Sequence, residues 1–179
     1  MSEFFLELFS EEIPASLQQN SRTVLLESFK KLFEEKKISF KESSSFSTPN
    51  RLIILFQGLS KEVIQGAEEI KGPNVNAPEK AIEGFLRSNQ IDRKNLFKKK
   101  LEKGEFYLFK KSAKKISTIN LLEEHTPLLL DKLQWKKSMR WGDHNLNWAR
   151  PLKSILAVFG DKSLGFKFHH LKCSNTTFI

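Results

Sequence analysis

One cysteine, one tyrosine and two methionines stand in this chain of 179 residues. A single thiol, Cys173, can close no internal disulfide, so the core must hold the fold, and the usage suits a reducing compartment. No apolar run approaches the roughly 20 residues that span a bilayer, which argues against a membrane crossing. Met1-Ser2-Glu3-Phe4 has no basic region and leads into Glu7, Glu11 and Glu12, unlike a secretory signal. A cytoplasmic protein is the expectation.

Catalytic and metal signatures are missing too. Lys71-Gly72-Pro73 could bring backbone amides near a phosphate, but no GxxxxGK[ST] motif accompanies it, and a rigid surface turn is the better reading. His169-His170-x-x-Cys173 has no second CxxC or HxxxH, and neighbouring histidines on a strand would face opposite ways. No metal site is expected. Cys173 lacks an identifiable base or oxyanion hole. Glu11 and Glu12, just before Pro14, are placed to complement a helix dipole rather than to run acid–base chemistry. No catalytic residue is expected in this chain.

What is abundant is phenylalanine, with 16 residues, and positive charge, with a net of +9. The charge is uneven. Residues 1–35 hold seven acids and three bases, whereas residues 92–115 hold ten bases and three acids. A field of that sign attracts polyanions, of which RNA is the obvious cytosolic one. The run Lys98-Lys99-Lys100 fits such a face. It equally fits a lysine-biased composition or the solvated edge of a hairpin, because a charge run alone names no ligand.

Arginine is scarce at six residues against 24 lysines, yet two arginines fall in one short stretch with two of the three tryptophans. Lys137-Ser138-Met139-Arg140-Trp141-Gly142 is followed by Trp148-Ala149-Arg150-Pro151-Leu152. The guanidinium fork pairs bidentately with phosphate or carboxylate and stacks on aromatic faces, which an ammonium cannot do. Arg140 and Arg150, then Arg51 and Lys137, are the candidate phosphate- or RNA-contacting groups. A buried Arg–carboxylate or Arg–Trp contact that fixes the fold is the alternative for each, with Glu11 and Glu12 as partners. Trp141 and Trp148 are candidates for base stacking, with core packing favoured.

The periodicity predicts an α+β fold: several β-hairpins, a long N-terminal amphipathic helix, and two or three further helices. Phe4–Phe9 reads as a strand. A helix from Pro14 to about Lys37 is expected from Leu17, Val24, Leu25, Leu26, Phe29, Leu32 and Phe33. Ile38–Phe46 and Leu52–Phe56 form an expected hairpin, and residues 71–78 an expected loop. A helix follows from Pro78 to Asn89, then a lysine-edged hairpin, Leu96–Leu101 and Glu105–Lys110, turning on Glu102-Lys103-Gly104. The next helix, from about Thr118 to Leu133, is expected to bend or restart at Pro127. Ile155–Phe159 and Leu164–Phe168 close the chain as another hairpin. A weak boundary near residue 60 marks the change from acidic helix to basic hairpins.

Several stretches, in order, carry a family resemblance. They are Leu6-Glu7-Leu8-Phe9-Ser10-Glu11-Glu12-Ile13-Pro14, Thr48-Pro49-Asn50-Arg51-Leu52, Lys71-Gly72-Pro73, and Ala81-Ile82-Glu83-Gly84-Phe85-Leu86. They continue as Lys103-Gly104-Glu105-Phe106, Lys137-Ser138-Met139-Arg140-Trp141-Gly142, Arg150-Pro151-Leu152 and Ser174-Asn175-Thr176-Thr177. The chain resembles the N-terminal part of the β subunit of the bacterial heterotetrameric glycyl-tRNA synthetase. Asn50 stands where the family usually has a second Arg, and Lys153 where it often has a His. Phe178-Ile179 replaces the expected continuation, so the resemblance implies an N-terminal region of a longer subunit, with the C-terminal anticodon-binding domain absent.

The resemblance implies a tRNA-positioning part of glycine–tRNA ligase. The α subunit would hold the class II core that makes glycyl-adenylate from glycine and ATP with Mg2+. This chain would bind no cofactor itself. Its partners would be the α subunit and tRNA-Gly, with no role for a membrane or DNA. The alternatives are a non-catalytic assembly module that docks the α subunit, and an inactive truncated remnant.

Overall fold

The computed structural model describes residues 2–65, 69–101, 104–110 and 114–178. The turn expected at Glu102-Lys103 lies outside them. The chain divides into two compact units: Met1–Val63 with Ile116–Ile179, and the inserted Ile64–Lys115. The strands β4 (Glu62–Gln65) and β8 (Lys114–Ser117) pair as a two-stranded ribbon where the chain passes from one unit to the other.

The first unit is built on a mixed seven-stranded sheet. Its path runs β11 (Lys167–Phe168), β12 (Leu171–Ser174), β9 (Leu152–Phe159), β1 (Ser2–Ser10), β3 (Arg51–Leu59), β2 (Glu42–Thr48), with β10 (Lys162–Ser163) beside β9. The first strand of the chain therefore lies in the middle. Leu6 pairs with Ile54 on one side and with Ala157 on the other. Period-2 alternation then sorts the side chains. Phe4, Leu6 and Leu8 of β1 share one face with Leu52, Ile54 and Phe56 of β3, and all six are at most 1% exposed.

The helix α1 (Ala15–Lys36) covers that face, with Phe29 and Phe33 fully buried. Phe4, Phe29, Phe33, Phe40 and Phe56 form a continuous ring cluster with centroids 4.8–6.5 Å apart. Tilted and edge-on rings at these separations add roughly 0.5–1.5 kcal/mol per pair beyond area burial. Five of the 16 phenylalanines thus serve to seat α1. The helix α3 (Thr118–Asp131) adds Leu121, Leu122 and Leu130 to the same core.

The opposite sheet face is less covered. Phe5, Ile53, Leu55, Leu156 and Val158 lie on it and are only half-buried, and Phe46 is 53% exposed.

The inserted unit is a three-stranded antiparallel sheet, β5 (Glu69–Asn74), β7 (Gly104–Lys110), β6 (Leu96–Leu101), with the helix α2 (Glu79–Asn89). Gly72 lets α2 pack closely. A Cβ there would stand 2.9 Å from a Phe85 ring carbon. No helix among the described residues is long and apolar enough to cross a membrane.

The expected fold class needs correction. Among the described residues, twelve strands outnumber three α-helices, and the large sheet joins segments far apart in sequence rather than successive hairpins. Nor is the 22-residue α1 the long amphipathic helix expected. Its buried positions are confined to Ser21–Phe33, Leu17 is only partly covered, and Val24 is 41% exposed. Gln18, Gln19 and Asn20 interrupt the stripe toward the N-terminal end, and Glu34, Glu35 and Lys36 toward the other.

Local expectations shift as well. Lys71-Gly72-Pro73 lies in β5 rather than a loop, and an edge strand tolerates Pro73 because it loses only an outward donor. Pro127 sits within α3, which runs through it as one helix without restarting. Phe168 pairs with β12 and not with β9, because Lys162–Ser163 takes the hairpin position instead.

Candidate functional site

The tryptophan–arginine segment forms a closed loop. Met139 and Trp148 make an antiparallel bridge, with the Met139 N–H donating to Trp148 O at 2.8 Å and the Trp148 N–H to Met139 O at 3.2 Å. Gly142, at φ +53°, supplies the left-handed turn that lets the chain reverse. Trp148 anchors the loop. It is 1% exposed and packs on Trp135 at 5.0 Å and on Phe168 at 5.9 Å. No face of its ring is open to a base.

Beside the bridge, Arg140 is exposed. Its Nε donates to Asn147 Oδ1 at 3.1 Å across the loop, and no carboxylate pairs with it among the described residues. Lys137, three residues earlier, is exposed too. The Asn147 amide orients the guanidinium plane without neutralising it, which suits binding of an external anion.

A group of rings continues this surface. Trp141 is half-buried and meets His170 edge-on at 5.9 Å, and His170 stacks on His144 with centroids 3.6 Å apart and planes 4° from parallel. Burial, and then the neighbouring His144 and His169, hold His170 below the ordinary imidazole range. His169 and His170 lie in a turn, with His169 at φ +51°, and not on a strand. His169 faces Asp131 at 3.2 Å. Among the described residues no His, Cys, Asp or Glu group has the geometry of a metal site.

Arg150 is placed differently. Its Nη1 donates to its neighbour's carbonyl, Ala149 O, at 2.9 Å. It lines an open cleft of about 540 Å³ with Glu11, Glu12, Pro14, Gln18 and Pro49. Two acids share that cleft, so its field is mixed.

Arg51 is committed within the fold. Its Nε lies 3.3 Å from Glu7 Oε2, and Nη2 donates to the Phe178 carbonyl. The guanidinium also lies 4.6 Å from the Phe9 ring centroid, and Phe178 stacks on that ring at 5.5 Å. The Thr177 hydroxyl donates to the other oxygen of Glu7, which is 6% exposed. Glu11 instead pairs with Lys153 at 2.7 Å.

The structure thus brings Lys137, Arg140 and Trp141 onto one loop and separates Arg51 from them. Sequence reasoning missed the stacked His144 and His170, because 25 intervening residues leave no spacing signal. It also missed Glu7, although an acid inside Phe4-Phe5-Leu6-Glu7-Leu8-Phe9 is itself a signal that a buried partner is needed.

Comparison with known proteins places these features in a family. The glycyl-tRNA synthetase beta subunit model matches residues 4–179. The glycine–tRNA ligase beta subunit of Rickettsia peacockii (strain Rustic) is 39% identical over 178 residues, covering 99% of this chain and 27% of that protein. The same-named protein of Rickettsia canadensis (strain McKiel) is also 39% identical, with 26% of its length covered. That of Rickettsia felis (strain ATCC VR-1525 / URRWXCal2) is 38% identical, with 27% covered. The chain therefore spans about a quarter of the length of the curated relatives it matches. With the match running over nearly every residue, the chain belongs to the glycyl-tRNA synthetase beta subunit family.

Proposed function

We propose that this chain is a tRNA-positioning part of glycine–tRNA ligase, acting on tRNA-Gly beside a separate α subunit that performs the chemistry. ATP with Mg2+ and glycine would be used on that subunit, and this chain would hold no cofactor. Its own work would be electrostatic. Arg140 and Lys137 meet backbone phosphates, Trp141 offers a ring edge for a splayed base or ribose, and Arg150 contributes from its cleft. The observation that carries the reading is the Arg140 guanidinium, exposed, oriented by Asn147 and without an acidic partner among the described residues.

The test uses the assembled ligase. Arg140→Ala and Arg150→Ala should raise KM for tRNA several-fold while leaving glycine-dependent ATP–pyrophosphate exchange and the circular dichroism intact. Unchanged tRNA affinity in both variants contradicts the proposal.

A second reading, docking of the α subunit or of another part of the ligase, is favoured by the open sheet face with Phe46, Ile53 and Leu55. An apolar surface of this kind is usually covered by a partner. Phe46→Ser should then weaken co-purification with α without changing tRNA retardation in a gel.

A further inference from the structure

The inserted unit presents a second basic face, apart from the tryptophan–arginine loop. Residues 64–115 carry thirteen bases and seven acids, a net of +6, so most of the chain's +9 resides in less than a third of its length. The pairing register sorts the sheet of this unit into two faces. Gly72 belongs with Ile70 and Phe109, and its contact with Phe85 places α2 on that side. The other side carries Phe97, Phe106 and Leu108 with Lys71, Lys99 and Lys110. No helix of this unit covers it among the described residues.

The side chains on this face are arranged, not merely solvated. Lys71 Nζ sits 3.8 Å from the Phe106 ring centroid and Lys110 Nζ 5.6 Å from that of Phe97. Lys99 Nζ reaches Glu69 Oε2 at 2.8 Å. The lysines are exposed, both rings are half-exposed, and Leu108 at the centre is buried. Lysine stems lying over apolar surface with ammonium heads above ring faces produce such a floor. The hydrogen bond from Lys99 holds Glu69 below the usual carboxylate range. That carboxylate does for Lys99 what a phosphate oxygen would do.

We infer that this helix-free face of the inserted unit is a platform for single-stranded RNA, with Phe97 and Phe106 taking bases and Lys71, Lys99 and Lys110 meeting phosphates. The inference deepens the tRNA reading and rests on it for the identity of the RNA. Sheet-borne aromatics stack unpaired bases whatever their identity, and flanking cations follow the backbone. A duplex hides its base faces and can use only the charge. Glu69 is the internal competitor, released when phosphate takes Lys99.

The purified chain tests this with a fluorescein-labelled 12-nucleotide oligouridylate and a 12-base-pair RNA duplex, read by anisotropy at low salt. Oligouridylate should bind at least several-fold more tightly than duplex. Lys71→Ala/Lys110→Ala should weaken it about tenfold, with a salt slope shallower by about 1.4 for two phosphates lost. Phe106→Leu keeps apolar volume but loses the stack, and should weaken oligouridylate about tenfold while sparing the duplex. Glu69→Gln should tighten oligouridylate binding, a gain that misfolding cannot mimic. Equal affinity for both RNAs, or unchanged oligouridylate binding in the double lysine variant and Glu69→Gln, overturns the platform. That result would hold even if Arg140→Ala weakened tRNA binding in the assembled ligase, so the two readings fail separately.

Discussion

Replacing Glu7 by Gln isolates its ion pair with Arg51, which lies on the sheet face opposite α1. The Glu7 side chain is 7% exposed and that of Arg51 is 24% exposed. Removing one partner of a fully sealed pair costs about 3–5 kcal/mol, since the remaining charge stays uncompensated. Here water reaches part of Arg51, and its contacts with the Phe178 carbonyl and the Phe9 ring survive. A cost of about 1–3 kcal/mol therefore follows for Glu7→Gln at neutral pH, in the lower part of that range if the amide keeps the Thr177 hydrogen bond. Arg51→Met should cost a similar amount, and the double variant clearly less than the two together. Urea unfolding followed by tryptophan fluorescence reads each value, provided the slope of the transition stays constant. Strict additivity, within about 0.5 kcal/mol, would refute the reasoning and free Arg51 for another role.

Other expectations follow from single contacts. Gly72→Ala should destabilise the inserted unit by roughly 1–3 kcal/mol, because its methyl meets Phe85 at 2.9 Å; a thermal scan showing no change would contradict it. Burial pushes the Cys173 thiol up to about 11, so an aromatic disulfide reagent at pH 8 should label native protein at least tenfold more slowly than protein in urea. Equal rates would count against the burial. His170, held below the ordinary imidazole range, binds its proton less readily in the folded state than in the unfolded one. Its contribution to stability is therefore present above the unfolded value and is lost as pH falls through the folded one. The melting temperature should drop between pH 7.5 and 5.5, and His170→Phe should reduce that drop; an identical drop in both would dismiss the role.

The strands were legible where alternation and β-branched or aromatic residues coincide, as in Phe4–Phe9 and Leu52–Phe56, now β1 and β3. Their partners were not. Nothing near Leu6 announces that Ala157 lies beside it, because pairing across 151 residues is decided by packing and not by a turn. Helix α1 was located from its periodicity, yet its amphipathic character was overread from Leu17 and Val24, which lie outside the buried stripe. At the candidate site, arginine scarcity drew attention to Arg140 and Arg150, but only geometry separates an exposed Arg140 from an Arg51 bound to Glu7. The histidine stack needed two turns to converge in space, which no local pattern encodes.

Binding of tRNA-Gly by the purified chain across a potassium chloride series, with and without Lys137→Ala/Arg140→Ala, tests most directly whether this loop meets phosphate. Each phosphate neutralised on a duplex contributes a slope of about 0.9 in log affinity against log salt. Affinity should fall steeply with salt for the natural chain, and the double variant should show a slope shallower by nearly two with weaker binding at low salt, as phosphate contact by this loop requires. Superimposable lines for the two proteins would contradict it, since the exposed cations of this loop would then touch no phosphate.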